Sequence, residues 1–109
     1  EIKTVDVFPA TNAGSAPCPA LITATMQGDA EGLRIELEGT DEYLLLDRYL
    51  DAGDVITIDI GRRLTTVNGV DARADVTAPS TYFKLPPGEF ALNTTPAVLL
   101  TVEFRERWI

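Results

Sequence analysis

The feature that most constrains this chain is a series of three turns that separate short apolar segments. The turns lie at Gly53-Asp54, at Asn68-Gly69 and at Pro86-Pro87-Gly88. Asn-Gly favours a two-residue hairpin, because both residues accept the positive φ that such a turn needs. Alternating apolar segments that are joined by tight turns are typical of antiparallel strands. The sequence therefore predicts an antiparallel all-β domain.

Alternation with a period of two residues supports individual strands. Leu33, Ile35 and Leu37 share one face of a predicted strand whose other face is charged, as expected where one sheet face meets water. Further strands are predicted over 2–8, 20–26, 43–50, 54–60, 63–67, from 70, around 90–92 and over 98–105. A short helix is the alternative for 43–50. Residues 71–80 are predicted as a small helix or an irregular crossing, and residues 93–96 as a turn.

The number and spacing of these segments predict the fold. About nine or ten short strands, with turns at intervals of roughly 8 to 12 residues, are typical of a two-sheet β-sandwich. A chain of 109 residues is long enough for one core. We therefore predict one β-sandwich domain over residues 1–109, in which residues 1–16 are a first strand or a linker.

The charge of the chain disfavours some partners. It has 9 Lys and Arg against 17 Asp and Glu, for a net charge of -8, and such a surface repels nucleic acid. No apolar run approaches the roughly 20 residues of a membrane helix, and no signal-peptide pattern precedes the first strand. We predict no nucleic-acid or membrane binding. Because the chain does not begin with Met, we expect a domain of a longer protein or a processed product.

Histidine is absent and Cys18 is the single cysteine. A Ser-His-Asp or Cys-His catalytic arrangement therefore cannot form, and neither can an internal disulfide or a zinc site of these residues. Between Pro17 and Pro19, Cys18 is expected to pack as a small apolar residue. The sequence indicates no enzyme and no cofactor.

Carboxylates are plentiful, so two further kinds of site need weighing. Carboxylate pairs include Asp41 with Glu42 and Asp51 with Asp54, and composition alone leaves a glycosidase pair open, although acidic pairs in turns are usually solvated. Asp51, Asp54 and Asp59 do not follow the spacing of a calcium-binding loop. We expect Asp51 and Asp54 to satisfy turn amides, and we predict no metal site.

The order of strands and turns from Leu44 onward resembles the C-terminal domain of siphophage distal tail proteins and related phage tail components. The resemblance spans residues 19–109. The matching positions are Asp51, Gly53, Asp54, Ile56, Ile58, Asp59, Asn68, Gly69, Phe83, Leu85, Pro87 and Gly88, with Arg105 and Trp108 similar to the arginine-aromatic ending of many members.

This resemblance implies a jelly-roll sandwich of the galectin-like or carbohydrate-binding-module type. It also implies a structural protein of a phage or prophage tail tip or baseplate, which docks receptor-binding or other baseplate proteins. The full-length protein would form a homo-hexameric ring through an N-terminal domain that this sequence lacks. The expected location is the virion tail, or the cytoplasm before assembly if a prophage encodes it.

The alternative function is that of a carbohydrate-binding module for glycans of the host cell surface. Such modules stack saccharide rings on exposed aromatic side chains, and Tyr43 and Tyr49 are predicted on one strand face. Burial of these rings at the sheet edge or in the core is the competing interpretation. The candidate contacts for a glycan or a protein partner are Tyr43, Tyr49, Tyr82 and Trp108.

Overall fold

The computed structural model describes residues 2–78 and 80–105, and it describes side chains from Phe8 onward. The strands are β1 (Ile2–Asn12), β2 (Ala20–Thr25), β3 (Leu33–Leu37), β4 (Tyr43–Leu46), β5 (Val55–Asp59), β6 (Leu64–Val67), β7 (Val70–Asp71) and β8 (Gly88–Phe104), with a 3-10 helix at Arg73–Asp75. Every strand pairing is antiparallel, which confirms the predicted all-β class. No helix in the described ranges has the length and apolar character to cross a membrane.

All eight strands join one continuous sheet, which curls into a half-barrel. The long strand β8 pairs with β1 in both of its halves, with β3 over residues 92–95 and with β2 over residues 99–104. The sheet thus has two arms, one continuing through β3 and β4 and the other through β2, β5, β6 and β7. The predicted division into two separate sheets is not confirmed, because β8 belongs to both arms.

The predicted turn at residues 93–96 is wrong. Asn93, Thr94 and Thr95 pair with β3, so the ladder supplies hydrogen bonds to a segment whose composition suits a turn. The irregularity appears instead as a shift in register, since Val5 lies opposite Val98 whereas Val7 lies opposite Asn93. The short strand predicted around 90–92 and the long last strand are therefore one element.

The core lies between the two arms of the curled sheet. Burial alternates along β2, β3 and β5, as the sequence predicts for strands with one inner face. The two ends of β8 approach each other, since the rings of Phe90 and Phe104 pack edge to face with centroids 5.9 Å apart. Of the predicted inner face of the last strand, Val98 and Leu100 are fully buried, whereas Phe104 is only half-buried.

The predicted strand over 43–50 ends at Leu46. Beyond it, Asp47 donates its backbone N–H to the Asp75 carbonyl at 2.8 Å, and Leu50 pairs with Ala30. The outer edge of β4 is covered by the segment after the 3-10 helix, through the bond from Thr77 N–H to the Leu45 carbonyl at 3.0 Å. Of the two predictions for residues 71–80, a small helix or an irregular crossing, the 3-10 helix at Arg73–Asp75 confirms the first. The segment after it removes β4 as an open edge.

The Asn68-Gly69 hairpin is confirmed, with φ of 52° and 82° at its two central residues. The Asn68 side chain ties the turn to the start of β5. Its oxygen accepts from the Val55 N–H at 2.9 Å, and its nitrogen donates to Asp54 Oδ1 at 3.0 Å. The turn is thus held by its backbone conformation and by two side-chain hydrogen bonds.

Candidate functional site

Tyr43 stands at the start of β4 and is partly covered by a cation. The guanidinium carbon of Arg34 lies 4.6 Å from the centroid of the Tyr43 ring. Arg34 is itself fixed by an ion pair to Glu36 at 3.0 Å. One face of the ring is thereby occupied, and that face is closed to a stacking saccharide.

Tyr49 does not share a strand face with Tyr43, so that prediction is wrong. The ladder of β4 stops at Leu46, and Tyr49 lies in the loop that follows. Its side chain is 57% exposed. A hydrogen bond to Asp29, together with the nearby negative charges, raises the pKa of the Tyr49 hydroxyl. Tyr49 is therefore an exposed ring beside a carboxylate, separate from Tyr43.

Tyr82 is half-buried and packs against the core. Its hydroxyl lies 2.7 Å from Oγ1 of the buried Thr65, with which it shares a hydrogen bond. The ring edge lines two neighbouring grooves. The ring of Tyr82 is thus held in a fixed position at the surface, because its hydroxyl is hydrogen-bonded to the sheet. Trp108, the fourth aromatic candidate, lies outside the described residues.

The two grooves that share Tyr82 also share Lys84, and they differ in character. The first, which we call the apolar groove, has a volume of about 390 Å³ and is lined by Pro17, Glu42, Thr81, Tyr82, Phe83, Lys84 and Pro86. The second, the cationic groove, has a volume of about 310 Å³ and is lined by Pro19, Ile60, Gly61, Arg63, Tyr82 and Lys84. Tyr82 and Lys84 form the ridge between them.

A third groove continues beyond the cationic groove. It has a volume of about 380 Å³, shares Pro19 and Gly61 with the cationic groove, and includes Phe104 and Arg105. We call this side of the molecule, residues 17–20, 60–63, 81–86 and 103–105, the groove end. A separate, wider groove of about 560 Å³ lies between the ends of β1, β3 and β8 and includes Glu38 and Glu89.

The local sequence explains how the groove end is held. Asn12 donates to the carbonyls of Ala16 and Leu85, at 3.2 and 3.3 Å. Cys18 and Leu85 exchange two backbone hydrogen bonds at 3.0 and 2.8 Å. The Cys18 side chain is buried in the core, as predicted, so the flanking Pro17 is left at the surface. A short loop and the 83–86 segment are therefore locked together.

The cations with described side chains fall into two groups. Three are paired with carboxylates, Arg34 with Glu36 at 3.0 Å, Arg48 with Asp75 at 3.6 Å and Arg73 with Asp71 at 2.7 Å. The other cations with described side chains form no ion pair within residues 8–78 and 80–105, and all four are exposed at the groove end. They are Arg62, Arg63, Lys84 and Arg105.

The opposite end of β2 carries acidic loops, which we call the loop end, residues 26–32, 47–54 and 67–70. Here the carboxylates serve the turns. Asp54 accepts from the Asp51 N–H at 2.9 Å, and Asp29 accepts from the Ala52 N–H at 2.9 Å. The hydrogen bonds from Asp51 and Asn68 lower the pKa of Asp54. This confirms Asp54 as a turn-capping residue, and no metal-holding cluster of His, Cys, Asp or Glu occurs in the described ranges.

Comparison with known proteins identifies the family. Residues 13–108 match the family described as siphovirus-type tail component, C-terminal domain. The chain belongs to this family. Among solved structures it is similar to the Dit protein of phage SPP1, with a TM-score of 0.80 at 19% identity over 97% of this chain and 44% of that chain. That protein is described as a paradigm of the hub adsorption apparatus in phages that infect Gram-positive hosts. No curated protein gives a significant match.

In this tail-component domain, the residues that carry the family pattern build the fold. Gly53 and Gly88 have φ of 90° and 89°, a conformation that favours glycine. Phe83 and Leu85 are buried in the core. The pattern residues therefore hold turns and core contacts, as the sequence indicates.

The cluster of unpaired cations is what sequence reasoning missed. The net charge of -8 directs attention to the acidic side chains, and the four cations are spread over residues 62–105. Tertiary pairing brings them together, since Leu21 lies opposite Asp59, Ala20 lies opposite Phe104, and Cys18 pairs with Leu85 next to Lys84. The Gly61-Arg62-Arg63 turn at the end of β5 was the one local signal available.

Proposed function

We propose that this domain is a protein-docking module of a phage tail tip or baseplate, and that the groove end holds a receptor-binding or other baseplate protein. The observation that carries the proposal is the grouping of unpaired, exposed cations beside the anchored ring of Tyr82. Aromatic and arginine side chains are enriched where protein interfaces concentrate their binding energy. Family membership supports the tail context.

The wider context belongs to the same proposal. The chain acts as the C-terminal domain of a longer tail protein, whose other part forms a homo-hexameric ring in the virion tail of a phage or prophage. The two arms of the curled sheet enclose one core, which supports a relationship to jelly-roll sandwiches. The role is structural rather than enzymatic, and the absence of histidine from the sequence supports this.

A second candidate function rests on Tyr49. An exposed ring beside a carboxylate is the combination that binds a saccharide, because the ring stacks on the sugar and the carboxylate accepts from its hydroxyls. Against it, Tyr49 lies in the loop after β4 and not on the strand with Tyr43, and Tyr43 is covered by Arg34. Tyr49 and Trp108 remain candidate contacts of either kind of partner.

Binding measurements separate these functions. The domain is immobilised, and each tail-tip protein encoded beside it is tested by biolayer interferometry, in parallel with calorimetry against saccharides from the host wall. We expect at least one tail-tip protein to bind with a Kd at or below about 1 μM, and saccharides no tighter than about 1 mM. A saccharide with micromolar affinity that is lost on Tyr49→Ala, with no tail-tip protein bound, would replace docking by glycan binding.

A further inference from the structure

We propose that the cationic groove binds a carboxylate side chain, Asp or Glu, from an acidic segment of the docked protein, and that the apolar groove takes a neighbouring apolar side chain of the same segment. This inference rests on the proposed docking function and names the chemistry of the partner. It follows from charge, from groove lining and from the shared ridge of Tyr82 and Lys84.

The charge argument begins with Arg63 and Lys84. Both line the cationic groove, whose lining contains no carboxylate, and neither makes an ion pair within the described ranges. By contrast, Arg34, Arg48 and Arg73 are each paired with a carboxylate. Two cations left together in an acidic protein repel each other, and a bound carboxylate relieves that repulsion. The cationic groove is thus complementary to a carboxylate, which its own lining does not supply, although Glu42 lines the apolar groove on the other side of Lys84.

The neighbouring surface restricts that ligand to a short segment of a protein. The chain as a whole carries a net charge of -8, and Asp59 and Glu103 line the adjoining groove. A long polyanion such as nucleic acid or a phosphate polymer extends past the cationic groove and meets this negative field. A single carboxylate on a protein surface avoids most of this repulsion, because salt screens its interactions with charges more than about one Debye length away.

The apolar groove supplies the second half of the recognition. Pro17, Phe83 and Pro86 line it on the other side of the Tyr82 and Lys84 ridge. Alternate side chains of an extended segment point to opposite faces, whereas neighbours two positions apart share a face. A segment that lies across the ridge can place a carboxylate in one groove and an apolar side chain two residues away in the other. Tyr82, held by Thr65, gives the ridge a fixed position.

A peptide titration followed by NMR tests this geometry. The probe is a short peptide in which Glu and Leu are two positions apart, so that both side chains share one face of the extended peptide. Its matched control has Gln in place of Glu. We expect the amide signals of Gly61, Arg63 and Lys84 to shift, while those of Gly28, Gly53 and Gly69 at the loop end stay in place. The Glu peptide should bind at least about 10-fold more tightly than the Gln peptide, and added salt should reduce the difference.

Variants provide the matched test of the cations. Arg63→Gln with Lys84→Gln removes two unpaired charges, and Arg48→Gln with Arg73→Gln removes the same charge from paired sites. The first double variant should lose the preference for the Glu peptide, and the second should keep it. Shifts at the loop end, equal affinity for both peptides, or stronger binding of polyphosphate than of the Glu peptide would overturn the inference.

The failure of this inference is distinguishable from failure of the docking proposal. If a tail-tip protein binds the Arg63→Gln, Lys84→Gln variant as tightly as the unmodified chain, docking stands and the carboxylate inference is wrong. If no tail-tip protein binds at all, the docking proposal fails first. Should the double variant not fold, the comparison of Glu and Gln peptides on the unmodified chain still decides the question.

Discussion

The loop end and the groove end lie at opposite ends of the same strands, and they use charge differently. At the loop end, Asp54 and Asp29 accept backbone hydrogen bonds and hold turns in place. At the groove end, Arg63 and Lys84 are exposed and make no ion pair within the described ranges. Both ends are attached to β2, which runs from Ala20 at the groove end to Thr25 at the loop end.

This difference separates charges that serve folding from charges available to a partner. A carboxylate that accepts backbone N–H groups stabilises its turn, and replacing it changes the fold locally. An exposed cation without a partner contributes little to the free energy of folding, so replacing it should mainly change the affinity for a binding partner. Substitutions at the two ends should therefore divide into those that alter stability and those that alter binding.

The largest effect is expected from the core that supports both ends. Leu100 is fully buried in β8, opposite Ala24 of β2. Leu100→Ala removes apolar contacts and leaves a cavity, so we expect the free energy of unfolding in urea to fall by about 2–5 kcal/mol. The control is Leu99→Ala, a partly exposed neighbour, which should cost less. A loss below about 1 kcal/mol for Leu100→Ala would show that the two ends do not share this core.

How far the sequence predicts this fold depends on the strand. The segments that became β3 and β5 alternate cleanly, and Asn68-Gly69 has one preferred turn, so local preference and final structure agree. In β8, residues 93–96 have turn composition, and pairing with β3 overrides it. Such tertiary pairing lies outside what a local pattern contains. The sequence therefore predicts the class of fold better than the path of the central strand.

The candidate site was less predictable than the fold, for a related reason. Tyr43 and Tyr49 fit an alternating pattern, and the sequence contains no sign that the strand stops at Leu46. Beyond Leu46 the backbone pairs elsewhere, Asp47 with Asp75 and Leu50 with Ala30, and these are contacts between distant residues. The grouping of Arg63 with Lys84 likewise depends on tertiary structure. The sequence shows which residue types could belong to a site, but the spatial neighbours of those residues depend on how the strands pair.

The next largest effect is expected at the loop end, from Gly69→Val. Gly69 has φ of 82°, which is unfavourable for a β-branched residue. We expect a loss of about 1–2 kcal/mol in urea unfolding, without a change in peptide binding at the groove end. Gly28→Ala is the matched control, because Gly28 has open space around its Cα and no positive φ. If both variants are equally stable, the hairpin conformation is not what holds the loop end.

A smaller, pH-dependent effect is expected at Asp54. Hydrogen bonds from Asp51 and Asn68 lower its pKa in the folded state. A lowered pKa means that the ionised form favours folding above the unfolded pKa of 3.8, and that this contribution is lost as the pH falls through the folded value. Between pH 7 and about pH 3, the unmodified chain should therefore lose more stability than Asp54→Asn. The urea midpoints of both proteins at the two pH values measure the difference.

The control for this experiment is Asp41→Asn, an exposed carboxylate to which the described residues donate no hydrogen bond. It should follow the unmodified chain at both pH values. If Asp54→Asn and Asp41→Asn respond alike to acid, the carboxylates of the loop end do not serve the turns, and the contrast between the two ends disappears.

The smallest effect on stability is expected where the effect on binding is greatest. Replacing Arg63 and Lys84 by Gln removes no hydrogen bond or ion pair in the described ranges, and it relieves repulsion between neighbouring cations. The melting temperature should change by less than about 4 °C. Arg73→Gln should lower it instead, because Arg73 donates to both carboxylate oxygens of Asp71. A large destabilisation by the groove variants would mean that these cations are structural, since only a charge that folding does not require is available to a partner.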